Sequence, residues 1–198
     1  GELAGRMAPG LGIATAFENG ISLDHIHGFP YIPGSSLKGI ARDYATEVEG
    51  VEPESKQFIA VFGGRWRRGP NEVEERMGNA VFLDALPICS TYEGAELLTV
   101  DVITPHFGDY YGSDGERPPV DYLNPNPIYF LAVKEGARFI FALIARPMRD
   151  RNGDIVMKAC EILSHAERWL KGALSHLGVG GKTSLGYGRF HNFQRHVF

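Results

Sequence analysis

Hydrophobic and polar positions change their period several times along the chain, and these changes divide it into predicted elements. Apolar residues recur at helical spacing over about 35–48 and again from Asp154 to Gly178, which predicts one amphipathic helix of medium length and a longer second one. Extended apolar runs predict strands at 11–17, 80–88, 97–103, 128–133, 138–145 and 185–193. Residues 1–10 and the basic stretch 65–71 have neither period, so both are expected to be irregular.

The order strand, helix, strands, helix, strand predicts an α+β fold. Its natural packing places both helices on one face of an antiparallel sheet, as in a ferredoxin-like (RRM-like) βαββαβ core with insertions. Lys134-Glu135-Gly136 is a hairpin signal between two strands, and the run 139–145 does not alternate, which predicts a central strand covered on both faces. We expect a single domain over 1–198, with an inserted loop around 104–127 that is rich in proline, glycine and tyrosine.

Composition limits the classes of function. At 198 residues, with 43% hydrophobic and 22% charged residues, the chain suits one globular domain. The formal net charge of -4 does not favour nucleic acid binding, so that role requires a local basic patch. Cys89 and Cys160 lie in separate apolar segments, which predicts two buried thiols in a reducing, cytoplasmic setting. No apolar run approaches 18 residues, so no membrane span is expected.

The first predicted helix follows a Pro33-Gly34-Ser35-Ser36 segment. Ser35 or Ser36 is expected to be the N-cap, with Lys38 and, one turn on, Arg42 near the free N–H groups. This arrangement is a candidate seat for a phosphate or another anion. The alternative is an ordinary capped helix with solvated cations.

A second glycine cluster spans 178–190. Gly178 is explained as the C-cap of the long helix. The other glycines predict a loop pressed against another backbone, where Lys182, Thr183, Ser184 and Arg189 could face a polyanion.

Several enzyme motifs are excluded by their context. Gly181-Lys182-Thr183 leaves a helix and enters a strand, whereas a phosphate-binding P-loop joins a strand to a following helix. Ser35-Ser36-Leu37-Lys38 matches the S-x-x-K of penicillin-binding enzymes without its companion motifs. Asp24 and His27, with His25 beside them, could indicate a metal site or a general acid–base pair, but the sequence offers no compact set of the four ligands that a structural metal site needs. We therefore expect no metal, no cofactor and no catalytic residue.

Together the motifs resemble a known family. Ile32-Pro33-Gly34-Ser35-Ser36-Leu37-Lys38-Gly39, with Gly178-Val179-Gly180 and Gly186-Tyr187-Gly188 towards the end of the chain, is similar to the paired signatures of the RAMP proteins of CRISPR systems. Residues 18–23 and 101–107, with Tyr110 and Tyr111, narrow the resemblance to subunits of the type III-B (Cmr) effector complex.

The resemblance implies a subunit that binds guide RNA inside an RNA-targeting complex, with target RNA and other RAMP subunits as partners. Related subunits cut target RNA with an aspartate in the loop before the Pro-Gly-Ser-Ser segment. Glu18 and Asp24 stand near that place but outside the surrounding motif, which indicates a subunit without its own catalytic centre.

The predicted function is therefore a non-catalytic grip on the RNA backbone, formed where the two glycine segments converge. The residues expected to bind RNA are Ser35, Ser36, Lys38, Arg42, Gly180, Gly181, Lys182, Thr183, Ser184, Tyr187 and Arg189. Two alternatives stay open: a RAMP-family endoribonuclease that uses His25 or His27, and a purely structural subunit whose glycines serve packing.

Overall fold

The structure is a computed structural model of the 198-residue chain. It describes residues 1–13, 19–69, 72–88, 97–105, 112–113, 116, 118 and 126–196. The predicted insertion around 104–127 therefore lies largely outside the described residues, as do Glu18, Cys89, Tyr110, Tyr111 and most of the strand predicted at 11–17.

Three helices lie in the described part of the chain. They are α1 (Gly34–Asp43, continued by a π-helical turn, Tyr44–Val48), α2 (Lys56–Phe62) and α3 (Ala159–His176). The two long helices are the two predicted from periodicity. Among the described residues, no helix combines the length and the apolar character that a membrane crossing requires.

The strands form short antiparallel ladders, each with one partner strand in the described ranges. The pairs are β1 (Glu2–Leu3) with β12 (Phe190–His191), β2 (Gly63–Gly69) with β3 (Glu72–Met77), β4 (Ala80–Phe82) with β9 (Leu143–Ala145), β5 (Leu86–Pro87) with β8 (Phe139–Ile140), β6 (Leu98–Ile103) with β7 (Ile128–Val133), and β10 (Met148–Arg149) with β11 (Ile155–Met157). Within the described ranges the architecture is thus mixed α/β, with small antiparallel sheets and three α-helices.

The β4–β9 ladder has one face against the helices and one face open. Ala80 and Phe82 are buried, and α1 and α3 both contact this ladder. Between them, Val81 and its cross-strand partner Ile144 point away from the core and are exposed. The alternation contradicts the expectation that residues 139–145 form a strand covered on both faces.

The core is built around Trp169 of α3. Its side chain is fully buried, and its ring stacks on Phe62 with 5.4 Å between centroids. The indole Nε1 donates a hydrogen bond to Glu49 Oε2 at 3.0 Å, and Arg168 pairs with the same oxygen at 2.7 Å. A buried indole needs such an acceptor, so this contact joins α3 to the end of the first helical segment.

Two segments that were expected to be irregular contain strands. The lead-in 1–10 contains β1 and isolated bridges at Met7 and Ala8. The basic stretch 65–71 belongs largely to β2, whose Arg65 and Trp66 lie opposite Glu75 and Glu74 of β3. Opposite charges facing each other across a ladder favour pairing even where apolar alternation is missing.

The predicted hairpin around residues 134–136 also was wrong. β7 pairs with β6 along all six of its residues, and β8 pairs with β5. The long helix begins at Ala159 instead of Asp154, because residues 155–157 form β11 and the backbone N–H of Lys158 donates to the side chain of Glu161 in the first turn. Cys160, expected to be buried, is exposed in that same turn.

Candidate nucleic-acid interface

The two glycine segments form the walls of one cleft. Its volume is about 230 Å³, and Ser36 of α1 faces it together with Gly180 of the C-terminal loop. The remaining lining comes from the segment around 7–13, from Ser22, from the approach to α1 and from the C-terminal loop. These residues are Met7, Pro9, Gly10, Ile13, Ser22, Ile32, Pro33 and Val179. Segments that are far apart in sequence therefore meet at a single concave surface.

Main-chain hydrogen bonds position the C-terminal wall. The N–H of Gly181 donates to Ala8 O, and the N–H of Gly188 donates to Arg6 O, each at 2.8 Å. A Cβ on Gly188 would overlap the carbonyl oxygen of Val179, which explains why glycine stands there. The loop is thus pressed against another backbone, as the sequence predicts, and that backbone is the protein's own N-terminal segment.

The start of α1 differs from the sequence prediction. Pro33 is the N-cap residue, while Ser35 and Ser36 are exposed residues of the first turn without a capping role. The N–H of Gly34 donates to Asp84 Oδ1 at 2.7 Å. A carboxylate from the loop after β4 therefore already occupies part of the predicted anion seat.

Gly34 itself is required by packing. A Cβ at this position would overlap the carbonyl oxygen of Phe82 at the end of β4. Main-chain hydrogen bonds in both directions between Ile32 and Ala85, at 3.0 and 2.9 Å, hold the approach to the helix against the same loop. The Pro-Gly-Ser-Ser segment is thus fixed as a rigid wall of the cleft.

Lys38 and Arg42 lie further along α1, and neither lines the cleft. Lys38 is half-buried, and the guanidinium of Arg42 lies 5.8 Å from the centre of the Phe58 ring of α2. The helix therefore carries Arg42 away from the turn that faces the glycine loop.

Lys182 has an unusual backbone conformation. Its φ of 61° and ψ of 28° place it in the left-handed region, which lysine rarely adopts. Its ammonium nitrogen lies 5.2 Å from the centre of the Phe130 ring and 5.7 Å from that of Tyr187, within the range of cation–π attraction. The side chain is thus held over two aromatic rings, and none of these three residues lines the cleft.

The other predicted residues of this loop have mixed positions. Thr183 opens a 3₁₀ turn that ends at Leu185, and its carbonyl oxygen accepts from the N–H of Gly186 at 2.9 Å. Ser184 is exposed. Arg189 has an exposed side chain, while its carbonyl oxygen accepts from the N–H of Ala4 at 2.8 Å.

Tyr187 belongs to a charged cluster that sequence reasoning did not assemble. Its hydroxyl donates a short hydrogen bond to Asp101 Oδ2, and Arg6 Nη1 lies 2.7 Å from the same oxygen. We call Arg6, Asp101 and Tyr187 the Asp101 cluster. Two of its members stand in motifs noted in the sequence, whereas Arg6 lies in a lead-in that carries no periodic signal.

The electrostatics of the Asp101 cluster keep its carboxylate charged. Burial acts to raise the pKa of Asp101, but the hydrogen bonds from Tyr187 and Arg6 outweigh it, so the pKa lies below its ordinary value. The hydrogen bond to Asp101 in turn raises the pKa of Tyr187, since the carboxylate needs the phenolic proton. At neutral pH the Asp101 carboxylate is therefore ionised and the Tyr187 hydroxyl keeps its proton.

The family model of the RAMP superfamily matches residues 7–191. The chain belongs to the RAMP superfamily. Among curated relatives, it is 33% identical to the CRISPR system Cmr subunit Cmr6 of Pyrococcus furiosus, over 93% of this chain and 64% of the relative. It is 29% identical to the Cmr6 subunit of Saccharolobus solfataricus, over 96% of this chain and 56% of the relative. The chain thus spans less than two thirds of the length of these relatives.

Two solved structures are also similar to this chain. The crystal structure of Cmr6 from Pyrococcus furiosus matches with a TM-score of 0.52 and 30% identity, covering 95% of this chain and 94% of that one. A chain of the type III-B Cmr-beta complex bound to cognate target RNA matches with a TM-score of 0.62, covering 95% of this chain and 55% of that one. At 24% identity, the second match supports the fold alone.

His25 and His27 of this RAMP chain lie outside the cleft lining. His27 Nδ1 is 2.9 Å from Asp24 Oδ1, an oxygen that also accepts from the N–H groups of Ile26 and His27. These contacts lower the pKa of Asp24, the backbone N–H of His27 being the largest cause. His25 is exposed beside them. Within the described ranges, no three His, Cys, Asp or Glu side chains are grouped as a metal site would require.

Proposed function

We propose that this chain is a non-catalytic, RNA-binding subunit of a type III-B (Cmr) effector complex that grips the backbone of the guide RNA. The observation that carries the proposal is the convergence of Ser36 and Gly180 on one cleft. Glycine-lined walls let an RNA strand approach the protein backbone closely, and N–H groups in such loops favour anions. In a guided complex base pairing selects the sequence, so contacts to phosphate and sugar are what the protein must supply.

The cations on the two glycine segments, although outside the cleft lining, suit phosphate binding. Lys182 is held over two rings, Arg189 has an exposed side chain, and Lys38 projects from the second turn of α1. Asp84 at the start of α1 opposes them, and the net charge of the chain is -4. We therefore expect modest, salt-sensitive affinity for RNA from the isolated chain.

The proposed partners are guide RNA, target RNA and other RAMP subunits of the complex, in the cytoplasm. The relatives carry the name Cmr6, and one structural match is a complex bound to target RNA. On β6 and β7, Val100, Val102, Tyr129 and Leu131 share one exposed face. Such an apolar face suits docking to a neighbouring subunit.

The finer fold is proposed to be one ferredoxin-like domain over 1–198. The contacts of α1 and α3 with the same β4–β9 ladder support it, since two helices on one face of an antiparallel sheet define that core.

Substitution of Lys182 by alanine tests the proposed grip. Lys182→Ala should weaken binding of every single-stranded RNA sequence about equally and lower the salt slope of log K by about 0.7, the value for one lost phosphate contact on a single strand. Fluorescence anisotropy over a salt series measures both. Lys134→Ala, an exposed lysine in the turn after β7, is the matched control. A loss confined to particular sequences, or an equal loss in the control, would contradict phosphate contact.

A metal-independent endoribonuclease is the second candidate, favoured by the contact between Asp24 and His27. It predicts cleavage of guide-repeat RNA without added metal by the wild-type chain, and loss of cleavage in His25→Ala or His27→Ala. Intact RNA after incubation with the wild-type chain would reject it.

A purely structural role is the remaining alternative, supported by the way Gly34 and Gly188 fit against the protein's own backbone. It predicts that ultraviolet crosslinking of the assembled complex finds no RNA on residues 178–190. Crosslinks on that loop would favour the RNA-binding proposal instead.

A further inference from the structure

The Asp101 cluster places a second cation beside Lys182, and this pairing extends the proposed RNA site. Lys182 approaches the ring of Tyr187, and Arg6 hydrogen-bonds to the acid that the Tyr187 hydroxyl also contacts. Two cations therefore share a neighbourhood with one carboxylate, which leaves an excess of positive charge for an anion.

Arg6 keeps donors that no contact within the cluster requires. A guanidinium carries five N–H donors; its Nη1 lies 2.7 Å from Asp101 Oδ2, and the Tyr187 hydroxyl is its second partner within the cluster. The Arg6 side chain is 49% exposed, whereas that of Asp101 is only 10% exposed. The carboxylate is thus largely covered and holds Arg6 in place, while about half of the Arg6 side chain stays open to solvent.

We infer that Asp101 is a positioning residue that orients Arg6 to bind an RNA phosphodiester together with Lys182. The inference rests on the proposed function, because it adds a contact to the same site. Arg6 would supply the planar, two-point recognition of phosphate oxygens that a lysine ammonium cannot. Asp101 itself touches no RNA in this arrangement and acts through Arg6 and Tyr187.

The sign of one substitution separates positioning from general electrostatics. Asp101→Asn removes a negative charge near the site, so charge alone predicts tighter RNA binding. Loss of positioning predicts weaker binding, by about threefold to tenfold if one charge-assisted contact is lost. Glu75→Gln is the matched control, because Glu75 pairs with Arg65 at 3.3 Å in an exposed ion pair on the β2–β3 hairpin.

The experiment measures anisotropy of a labelled, mixed-sequence single-stranded RNA with the full chain over a salt series. We expect Asp101→Asn to weaken binding and Glu75→Gln to leave it unchanged or tighter. Arg6→Gln should lower the salt slope by about 0.7, and adding Asp101→Asn to it should cost nothing further, since both act through one contact. The inference would be overturned if Asp101→Asn bound RNA as tightly as Glu75→Gln. It would also be overturned if Arg6→Gln left the affinity and the salt slope unchanged.

One further readout tests the contact between Asp101 and Tyr187. Ultraviolet titration of tyrosinate, taken as the difference from a Tyr187→Phe variant because the chain has eight tyrosines, should show the pKa of Tyr187 falling towards its ordinary value in Asp101→Asn. If Asp101→Asn does not fold, the exposed substitution Arg6→Gln decides alone. If Lys182→Ala leaves affinity unchanged, the proposed function fails. If it weakens binding while Arg6→Gln does not, only this inference fails.

Discussion

Lys182 allows the contribution of its backbone conformation to be separated from that of its charge. Its left-handed φ of 61° disfavours any residue with a Cβ, while its ammonium lies over Phe130 and Tyr187. Lys182→Ala and Lys182→Gly remove the same ammonium, but only the glycine variant relieves the backbone.

The expected magnitudes follow from these contacts. A left-handed residue with a Cβ costs about 1–2 kcal/mol relative to glycine, and glycine loses about 0.5–1 kcal/mol through entropy of the unfolded chain. The ring contacts of the ammonium contribute about 0.5–1 kcal/mol each at a partly exposed site. Lys182→Ala should therefore be about 1 kcal/mol less stable than the wild type. Lys182→Gly should be more stable than Lys182→Ala by about 1 kcal/mol.

Thermal unfolding and RNA anisotropy together check the prediction. A difference of about 1 kcal/mol in a chain of this size separates the two Tm values by about 2–4 °C. Both variants should nevertheless lose the same part of the salt slope. Equal Tm values would show that the strain relieved is no larger than the entropy that glycine loses, against the expected difference of about 1 kcal/mol, and RNA affinity that follows Tm would show that Lys182 acts only through the fold.

Three other predictions concern single positions. Gly188→Ala should destabilise the protein by more than about 2 kcal/mol in thermal unfolding, since its Cβ would overlap a backbone carbonyl oxygen. Gly186→Ala, with open space around it, should cost only about 1 kcal/mol in the same measurement. Asp84→Ala should cost about 1 kcal/mol, because it removes the acceptor for Gly34, yet tighten RNA binding in anisotropy by removing a carboxylate; weaker binding would contradict this. The pKa of Asp101 is lower in the folded chain than the unfolded value of 3.8, so unfolding takes up a proton in acid. The stability that the Asp101 carboxylate contributes should be complete above about pH 4 and should fall as pH decreases through the folded pKa. Urea unfolding should therefore show the difference in stability between the wild type and Asp101→Asn becoming smaller in acid.

The helices could be predicted because their information is local. The apolar stripes of α1 and α3 repeat over several turns, and burial of Leu37, Ala41, Ile162 and Ala166 follows those stripes. The six-residue strands β6 and β7 were predictable for the same reason, although their pairing was not. Short ladders such as β1–β12 carry too few residues to show a period.

Features that depend on distant residues could not be predicted. The N-terminus of α1 is satisfied by Asp84, fifty positions along the chain, so the serines that looked like caps were not needed. The glycine loop was correctly expected to press on a backbone, but nothing in the sequence identified that backbone as residues 6–8. Arg6 was missed for this reason, since its role arises only from that contact.

The cleft also constrains the order in which parts of the chain can fold. Residues 7–10 and residues 179–180 both line it, so most of the polypeptide must emerge from the ribosome before they can meet. Contacts of such wide sequence separation form slowly and tend to close after the local helices. Binding competence is therefore expected to be acquired last, and amide exchange at Gly181 and Gly188 would report when the chain has closed.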